Sequence, residues 1–224
     1  MTAIKICGIK DVANGLVAID AGADYLGFIF YPPSHRALTA ERAAKLIREL
    51  RAARPTGWKA VGVFVNEPIG LVAETSKTCG LDVVQLNGNE AAKYIGEVQR
   101  PVFKAVRVTE EAGAEIPNAA TYGAERILLD ANVPGEWGGT GVTLPWADLG
   151  RAVADGFLAG GLKPDNVEAA ILATRPWGVD VSSGVERDRE KDPELIASFI
   201  AAVRRADGRA PAALGASTIP GVPR

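Results

Sequence analysis

The chain has 224 residues, of which 47% are apolar and 23% charged, and its formal net charge is −2. This balance is ordinary for a globular protein, and the length suits one large domain or two small ones. It lacks the Lys/Arg stripe of a nucleic-acid binder and any run of about 18 apolar residues that could span a membrane.

Eight short apolar runs alternate along the chain with longer segments of helical period. The runs predict strands at residues 4–6, 25–30, 60–64, 83–86, 102–106, 127–129, 157–159 and 179–181. Several are continuously apolar rather than alternating, which is typical of strands that are buried on both faces.

The segments between these runs predict helices. The clearest is 39–54, where Ala43, Leu46, Ile47 and Leu50 recur at helical spacing after the N-cap residue Thr39. The same pattern predicts helices at 69–78, 90–98, 165–172 and 193–205. The segment after Val106 is poorly patterned, so its helix is the weakest prediction.

Eight strands separated by helices within 1–205 predict a single (β/α)8 barrel, the TIM-barrel class of α/β fold. The main alternative is a doubly wound open sheet, which normally has fewer strands and a glycine-rich turn after the first. Here Cys7–Lys10 follows strand one without such a motif. Residues 206–224, rich in Ala, Pro and Gly, predict a flexible C-terminal tail.

In a barrel of this class, functional side chains gather where the strands end. Strands seven and eight both end in small residues, whose exposed backbone N–H groups can hold a phosphate. These are Gly160, Gly161, Ser182, Ser183 and Gly184, and strand eight also carries Asp180 at its end. The alternative interpretation is ordinary turn glycines.

Two charged residues also follow strands. Asp130 ends an otherwise apolar strand, where an acid is costly unless it has a role or a partner. Arg36 follows strand two, where a guanidinium can hold a carboxylate, although a loop arginine is more often solvated. His35 is the sole histidine, so Ser-His-Asp and multi-histidine metal sites are not expected.

The cysteines Cys7 and Cys79 are far apart in sequence and form no disulfide framework. With no signal peptide visible in Met1–Lys10, they suggest a reducing cytoplasm. Taken alone, Cys7 reads as a small buried hydrophobe. Its position, at a strand end and before a glycine, also allows a base or a nucleophile.

Together the motifs resemble the phosphoribosylanthranilate isomerases of tryptophan biosynthesis. The matching stretches run in family order across the predicted barrel: Lys5–Gly8, Gly22–Asp24, Gly27–Phe28, Ser34–Arg36, Val61–Asn66, Val84–Leu86, Leu129–Asp130, Gly138–Gly141, Leu158–Leu162 and Gly178–Glu186.

This resemblance implies an intramolecular aldose–ketose isomerase that performs an Amadori rearrangement. It implies Asp130 as general acid and Cys7 as general base, with Cys7 titrating as a thiolate in the working pH range. It implies Arg36 for the anthranilate carboxylate, and Gln85 with Asn87 for positioning the substrate. The phosphate would lie among Gly160, Gly161, Asp180, Ser182, Ser183 and Gly184. No metal or organic cofactor is implied.

The chain departs from the family pattern at three places. Asn87 stands where the family commonly has His, Leu144–Trp146 replaces Phe-Asp-Trp, and His35 replaces a frequent proline. We expect effects on substrate positioning and rate, not on the acid–base pair. The glycine-rich segment Asn132–Thr143 predicts a mobile lid, or otherwise a long connection.

Three other functions fit parts of the pattern. Histidine-pathway or dual-substrate isomerases resemble a two-fold repeated barrel with an aspartate as strand-one base, which Cys7 opposes. Indoleglycerol-phosphate synthases would have catalytic lysines and an extension before strand one. A non-catalytic barrel that binds a phosphate ligand is the third. The expected partner is a small anionic substrate, and monomer and homodimer both remain open.

Overall fold

The computed structural model describes residues 1–108, 118–131 and 153–209. Its centre is a closed barrel in which eight parallel strands pair in chain order and β8 returns to β1. The strands are β1 (Ala3–Cys7), β2 (Tyr25–Ile29), β3 (Lys59–Phe64), β4 (Val83–Leu86), β5 (Val102–Val108), β6 (Arg126–Ala131), β7 (Phe157–Leu158) and β8 (Gly178–Val181). The predicted (β/α)8 barrel is confirmed.

Helices follow the strands around the outside of the barrel. Within the described residues they are α1 (Val12–Ala21), α2 (Ala40–Ala53), α3 (Ile69–Cys79), α4 (Ala92–Glu97), α5 (Ala119–Tyr122), α6 (Val167–Thr174) and α7 (Pro193–Arg209). The predicted N-cap is present, since the Thr39 side chain accepts a hydrogen bond from the Arg42 N–H. None of these helices combines the length and apolarity needed to cross a bilayer.

The strand period of two divides the apolar side chains into two cores. Side chains such as Ile4, Ile6 and Leu26 point outward and pack under the helices. Tyr25, Phe103 and Phe157 point inward, with ring centroids 5.0–5.8 Å apart, and fill the lower half of the barrel. Among the described residues, these rings fill that half of the barrel, and the end where the strands finish is left for a ligand.

The structure differs from the prediction at two helices. Sequence patterning does not single out α1, because Asn14 and Gly15 interrupt its apolar period. The last helix continues to Arg209, past the predicted boundary at residue 205. Ala206 is fully buried, and Asp207 accepts hydrogen bonds from the backbone N–H and the hydroxyl of Thr2.

The first part of the predicted tail is therefore the final turn of α7, tied to the chain start. The predicted lid Asn132–Thr143, the altered segment Leu144–Trp146 and residues 210–224 lie outside the described residues.

Candidate active site

One cavity opens at the end of the barrel where the strands finish. It has a volume of ≈520 Å³, counting its open mouth. The inward-facing strand-end positions and the loop after β2 supply its polar lining: Cys7, Tyr31, Ser34, Arg36, Gln85, Asn87, Asp130, Asp180 and Ser182. Residues spread over the whole sequence thus meet in one place, as the prediction requires.

Cys7 is the last residue of β1 and lies at the floor of this cavity, only 5% exposed. Its carbonyl accepts a hydrogen bond from the Ser182 hydroxyl at 3.1 Å, which joins β1 to the end of β8. Gly27 is its register partner on β2, and a Cβ there would lie 2.7 Å from the sulfur. Ser182 therefore fixes the backbone of residue 7, and the missing side chain at Gly27 leaves room for the sulfur.

Opposing effects act on the pKa of Cys7. Burial raises the pKa of the thiol above its ordinary value of 9.0; Lys5 and Lys191 lower it, and Asp180 raises it. Burial has the largest effect, so the thiolate depends on the nearby cations for its stabilisation. The expectation that Cys7 titrates as a thiolate in the working pH range stays a prediction.

Asp130 lies on β6, three strands away from β1 around the barrel. It lines both the main cavity and a second one of ≈300 Å³ beside it. Because a strand alternates its faces, Leu128 and Asp130 both point inward, the first into the core and the second into the mouth. Cys7 and Asp130 therefore face one space from different sides.

The second cavity is formed by the loops after β7 and β8. Its lining contains the predicted phosphate residues Gly160, Gly161, Ser182, Ser183 and Gly184. Gly160 and Gly161 have φ angles of 83° and 62°, a left-handed conformation that side chains disfavour. The N–H groups of Gly161, Ser183 and Gly184 donate to no other described residue, so they are available to an anion.

Asp180 lines both cavities, but its carboxylate is bound to the Lys5 ammonium at 2.8 Å. A carboxylate also repels a phosphate. Its placement among the phosphate-binding residues stays a prediction, and the partner that the structure gives its carboxylate is Lys5.

Arg36 lies at the mouth, but its guanidinium already has a partner. Nε and Nη2 donate to the two carboxylate oxygens of Glu186 at 2.7 and 2.8 Å. The remaining nitrogen, Nη1, makes no hydrogen bond to any residue that the structure describes. The ion pair thus fixes the plane of the guanidinium and leaves one edge for a substrate carboxylate.

Glu186 and Lys191 complete the ion-pair cluster around Arg36, a role that the sequence reasoning did not assign to them. The Lys191 ammonium donates to Glu186 at 2.6 Å and to the Ser182 carbonyl at 2.9 Å. The pair ties Arg36 to the loop that carries the predicted phosphate site. Both side chains lie in the short hairpin after β8, and nothing in local sequence pattern marks them as buried.

Protonation of Glu186 in acid should weaken its ion pairs with Arg36 and Lys191 and so lower the stability of the fold. Although burial raises the carboxyl pKa, hydrogen bonds and charge from Arg36 and Lys191 hold it at about 2, below the ordinary 4.5. The ionised group stabilises the fold above about pH 4.5, and this contribution, on the order of 3 kcal/mol, is lost as pH falls towards 2. Glu186→Gln should remove this acid-dependent part in denaturant unfolding measured across that range.

Glu190→Gln is the matched control, because Glu190 forms a more exposed pair with Lys10. Its acid dependence should follow the parent protein. The assignment is contradicted if Glu186→Gln loses stability in acid as steeply as the parent.

Gln85 and Asn87 form a pair on the wall of the cavity. The Gln85 amide nitrogen donates to the Asn87 side-chain oxygen at 2.9 Å, while the buried Gln85 oxygen has no partner among the described residues. The buried Lys104 of β5 donates to Glu90 at 2.9 Å and to the Gly88 carbonyl at 2.6 Å. These bonds tie the loop that carries Asn87 to the barrel wall.

Other described features carry less chemistry. His35 lies 3.7 Å from Glu186, and burial together with Arg36 lowers its pKa. Within the described ranges, no three His, Cys, Asp or Glu side chains converge on a metal position. A wider groove of ≈880 Å³ lies between α3 and residues 97–100, and none of the strand-end residues lines it.

Known proteins are similar to this chain in sequence and in fold. The model of the N-(5'-phosphoribosyl)anthranilate isomerase family matches residues 4–202. The N-(5'-phosphoribosyl)anthranilate isomerase of Pelobacter propionicus is 45% identical over 203 residues, covering 89% of this chain and 94% of that protein.

Two solved structures extend the likeness. Monomers of the dimeric phosphoribosylanthranilate isomerase of Thermotoga maritima are 32% identical, with a TM-score of 0.75, covering 92% of this chain and all of that one. A phosphoribosylanthranilate isomerase in complex with reduced 1-(o-carboxyphenylamino)-1-deoxyribulose 5-phosphate is 32% identical, with a TM-score of 0.73, covering 93% of this chain and 100% of that one.

Proposed function

The chain belongs to the N-(5'-phosphoribosyl)anthranilate isomerase family, and we propose that Cys7 and Asp130 are the base and acid of its reaction. It isomerises N-(5'-phosphoribosyl)anthranilate, an aminoaldose of tryptophan biosynthesis, to the corresponding 1-deoxyribulose aminoketose. The observation that carries the assignment is the shared cavity: a thiol and a carboxyl group from different strands face one space beside the glycine loops.

Two of the proton transfers in this reaction are assigned to enzyme side chains, one at the ring oxygen and one at C2, which are both bonded to C1. Asp130, in its protonated form, gives a proton to the ring oxygen, and the bond from that oxygen to C1 breaks to leave a protonated Schiff base, because the nitrogen keeps its hydrogen. The Cys7 thiolate then removes the proton from C2, giving an enolamine. Transfer of the C2 hydroxyl proton and protonation of C1 yield the ketone, so atoms and charge balance. Each positioned transfer is worth about 10²–10⁴ in rate.

The two charged ends of the substrate fix the sugar between these groups. The backbone N–H groups of Gly161, Ser183 and Gly184 would receive the phosphate, together with Gly160 and the Ser182 hydroxyl. The outer edge of Arg36, oriented by Glu186, would receive the anthranilate carboxylate. Gln85 and Asn87, which line the same cavity, would position the substrate. Anchoring both ends holds C1 and C2 near their proton donor and acceptor.

Turnover of freshly prepared phosphoribosylanthranilate, followed by its loss of fluorescence, tests this function. We expect saturable turnover, and a kcat/KM at least about 10²-fold lower on the histidine-pathway aminoaldose assayed in parallel, because Arg36 then lacks its carboxylate partner. Comparable rates on both aminoaldoses would instead identify a dual-substrate isomerase. A folded protein inactive on both would identify a non-catalytic phosphate-binding barrel.

We also propose that the enzyme works as a monomer or homodimer in the cytoplasm. The free thiols Cys7 and Cys79 suit a reducing compartment. The partner that the site chemistry supports is a small anion with a phosphate and a carboxylate.

A further inference from the structure

A lysine lies in the middle of the apolar strand β1. Lys5 is fully buried and is among the largest side chains that the described structure encloses completely. Because strand faces alternate, Lys5 and Cys7 share the inner face, with Lys5 one layer deeper. Asp180 is the register partner of Lys5 on β8, and its carboxylate lies 2.8 Å from the ammonium.

This cation has two anionic partners available to it. Burial by itself lowers the pKa of Lys5, but Asp180 and Cys7 together raise it above 10.5, so the side chain stays charged. The charge of the Lys5 ammonium lowers the pKa of the Cys7 thiol, against the raising effect of burial. A buried ammonium requires a counter-charge, and Asp180 supplies one on the neighbouring strand, while Cys7 shares the inner face of β1 with Lys5.

We propose that Lys5 is a positioning residue for the reaction: anchored by Asp180, its ammonium is the counter-charge that stabilises the thiolate of Cys7. This inference rests on the proposed role of Cys7 as the base. Lys5 touches no reacting atom and acts through the sulfur. Without it, the buried thiol would rarely be in the form that can accept the C2 proton.

Other charged or titratable groups face Cys7 from the elements around it. They are Lys191 in the hairpin after β8, Arg36 and Tyr31 in the loop after β2, Asp130 on β6 and Asp180 on β8. Lys191 and Arg36 are already bound to Glu186. Among the cations, Lys5 has the largest lowering effect on the thiol pKa.

The test titrates Cys7 directly in the full-length protein. Cys79→Ser leaves Cys7 as the sole cysteine; Cys79 lies on α3, away from the cavity, and its thiol donates only to the Ala40 carbonyl. Thiolate absorbance in the ultraviolet is then followed against pH, and the same curve for Cys7→Ser in this background is subtracted to remove tyrosine ionisation. The acidic limb of kcat/KM is measured in parallel.

Lys5→Met and Asp180→Asn should move the titration in opposite directions. Lys5→Met should shift it upward by about one pH unit or more, a loss of about tenfold in thiolate fraction and in kcat/KM at neutral pH. Asp180→Asn should shift it downward, because the ammonium then has the sulfur as its remaining partner. If the pair were merely structural, the loss of either half would disturb the site in the same direction.

Opposite shifts of the Cys7 titration in Lys5→Met and Asp180→Asn support the proposal. An unchanged titration in Lys5→Met, or shifts in the same direction in both variants, overturn it. Circular dichroism checks folding, and if Lys5→Met does not fold, Asp180→Asn decides alone: no downward shift overturns the proposal. The proposed role of Cys7 as the base is tested by a different result, the turnover of Cys7→Ser. If that variant retains turnover, Cys7 is not the base, whereas the titration measures the ionisation of the thiol in either case.

Discussion

Cys7→Ser is expected to lower kcat by about 10²–10⁴ while leaving substrate binding nearly intact. A serine hydroxyl has nearly the shape of the thiol, so the contact with Gly27 and the hydrogen bond from Ser182 to the residue 7 carbonyl should persist. Its proton is held far more tightly than that of a thiol, so it cannot remove the C2 proton. Steady-state turnover gives kcat, and a product analogue titrated into the variant gives the binding constant.

Cys79→Ser is the matched control, because it makes the same chemical change at the other buried cysteine. Cys79 lies on α3 and faces the Ala40 carbonyl rather than the cavity. We expect near-parental kcat. A Cys7→Ser enzyme with near-normal kcat would remove Cys7 from the mechanism, and a covalent substrate adduct trapped on Cys7 would make it a nucleophile instead.

Asp130→Asn is the second large effect, again about 10²–10⁴ in kcat. The amide matches the carboxyl in size, so the cavity keeps its shape, but it cannot give a proton to the ring oxygen. Affinity for the phosphate-bearing product analogue should change little, because the N–H groups of the glycine loops do not depend on this side chain. Turnover and analogue titration are measured as for Cys7.

An analogue that lacks the sugar 4-hydroxyl separates the two roles. It cannot close the furanose ring, so Asp130→Asn should lose much less on it, whereas Cys7→Ser should lose as much as on the natural substrate. Asp20→Asn, at an exposed ion pair with Arg54, is the control for removal of a carboxylate and should keep parental turnover. Equal losses for Asp130→Asn on both substrates would contradict its role in ring opening.

Strand positions could be predicted from the sequence because burial on both faces of a barrel strand imposes a local pattern. Val83–Leu86 has the predicted bounds, and the other predicted strands differ by only one to three residues at their ends. The helix over Val12–Ala21 was harder to predict, since Asn14 and Gly15 have poor helix propensity and are tolerated by tertiary packing. The local sequence pattern reports the intrinsic helix propensity of a segment, and tertiary packing can form a helix where that propensity is low.

The candidate site was also predictable where it depends on local sequence and unpredictable where it depends on distant contacts. Strand-end position and the family resemblance predicted that Cys7, Asp130 and the two small-residue loops meet, and in the structure they line two adjacent cavities that share Asp130. The role of Asp180 could not be predicted, because its partner Lys5 lies 175 residues away in sequence. The Glu186 anchor of Arg36, 150 residues from it, was hidden for the same reason.

The sequence by itself determined the barrel, the family and the residues that face the mouth, because these depend on local periodicity and on short motifs at strand ends. Tertiary structure alone decided the protonation chemistry. Burial favours the neutral thiol of Cys7, and the Lys5 ammonium, which is paired with Asp180, opposes that effect. Desolvation and ion pairing depend on distances between chain segments that only the closed barrel brings together.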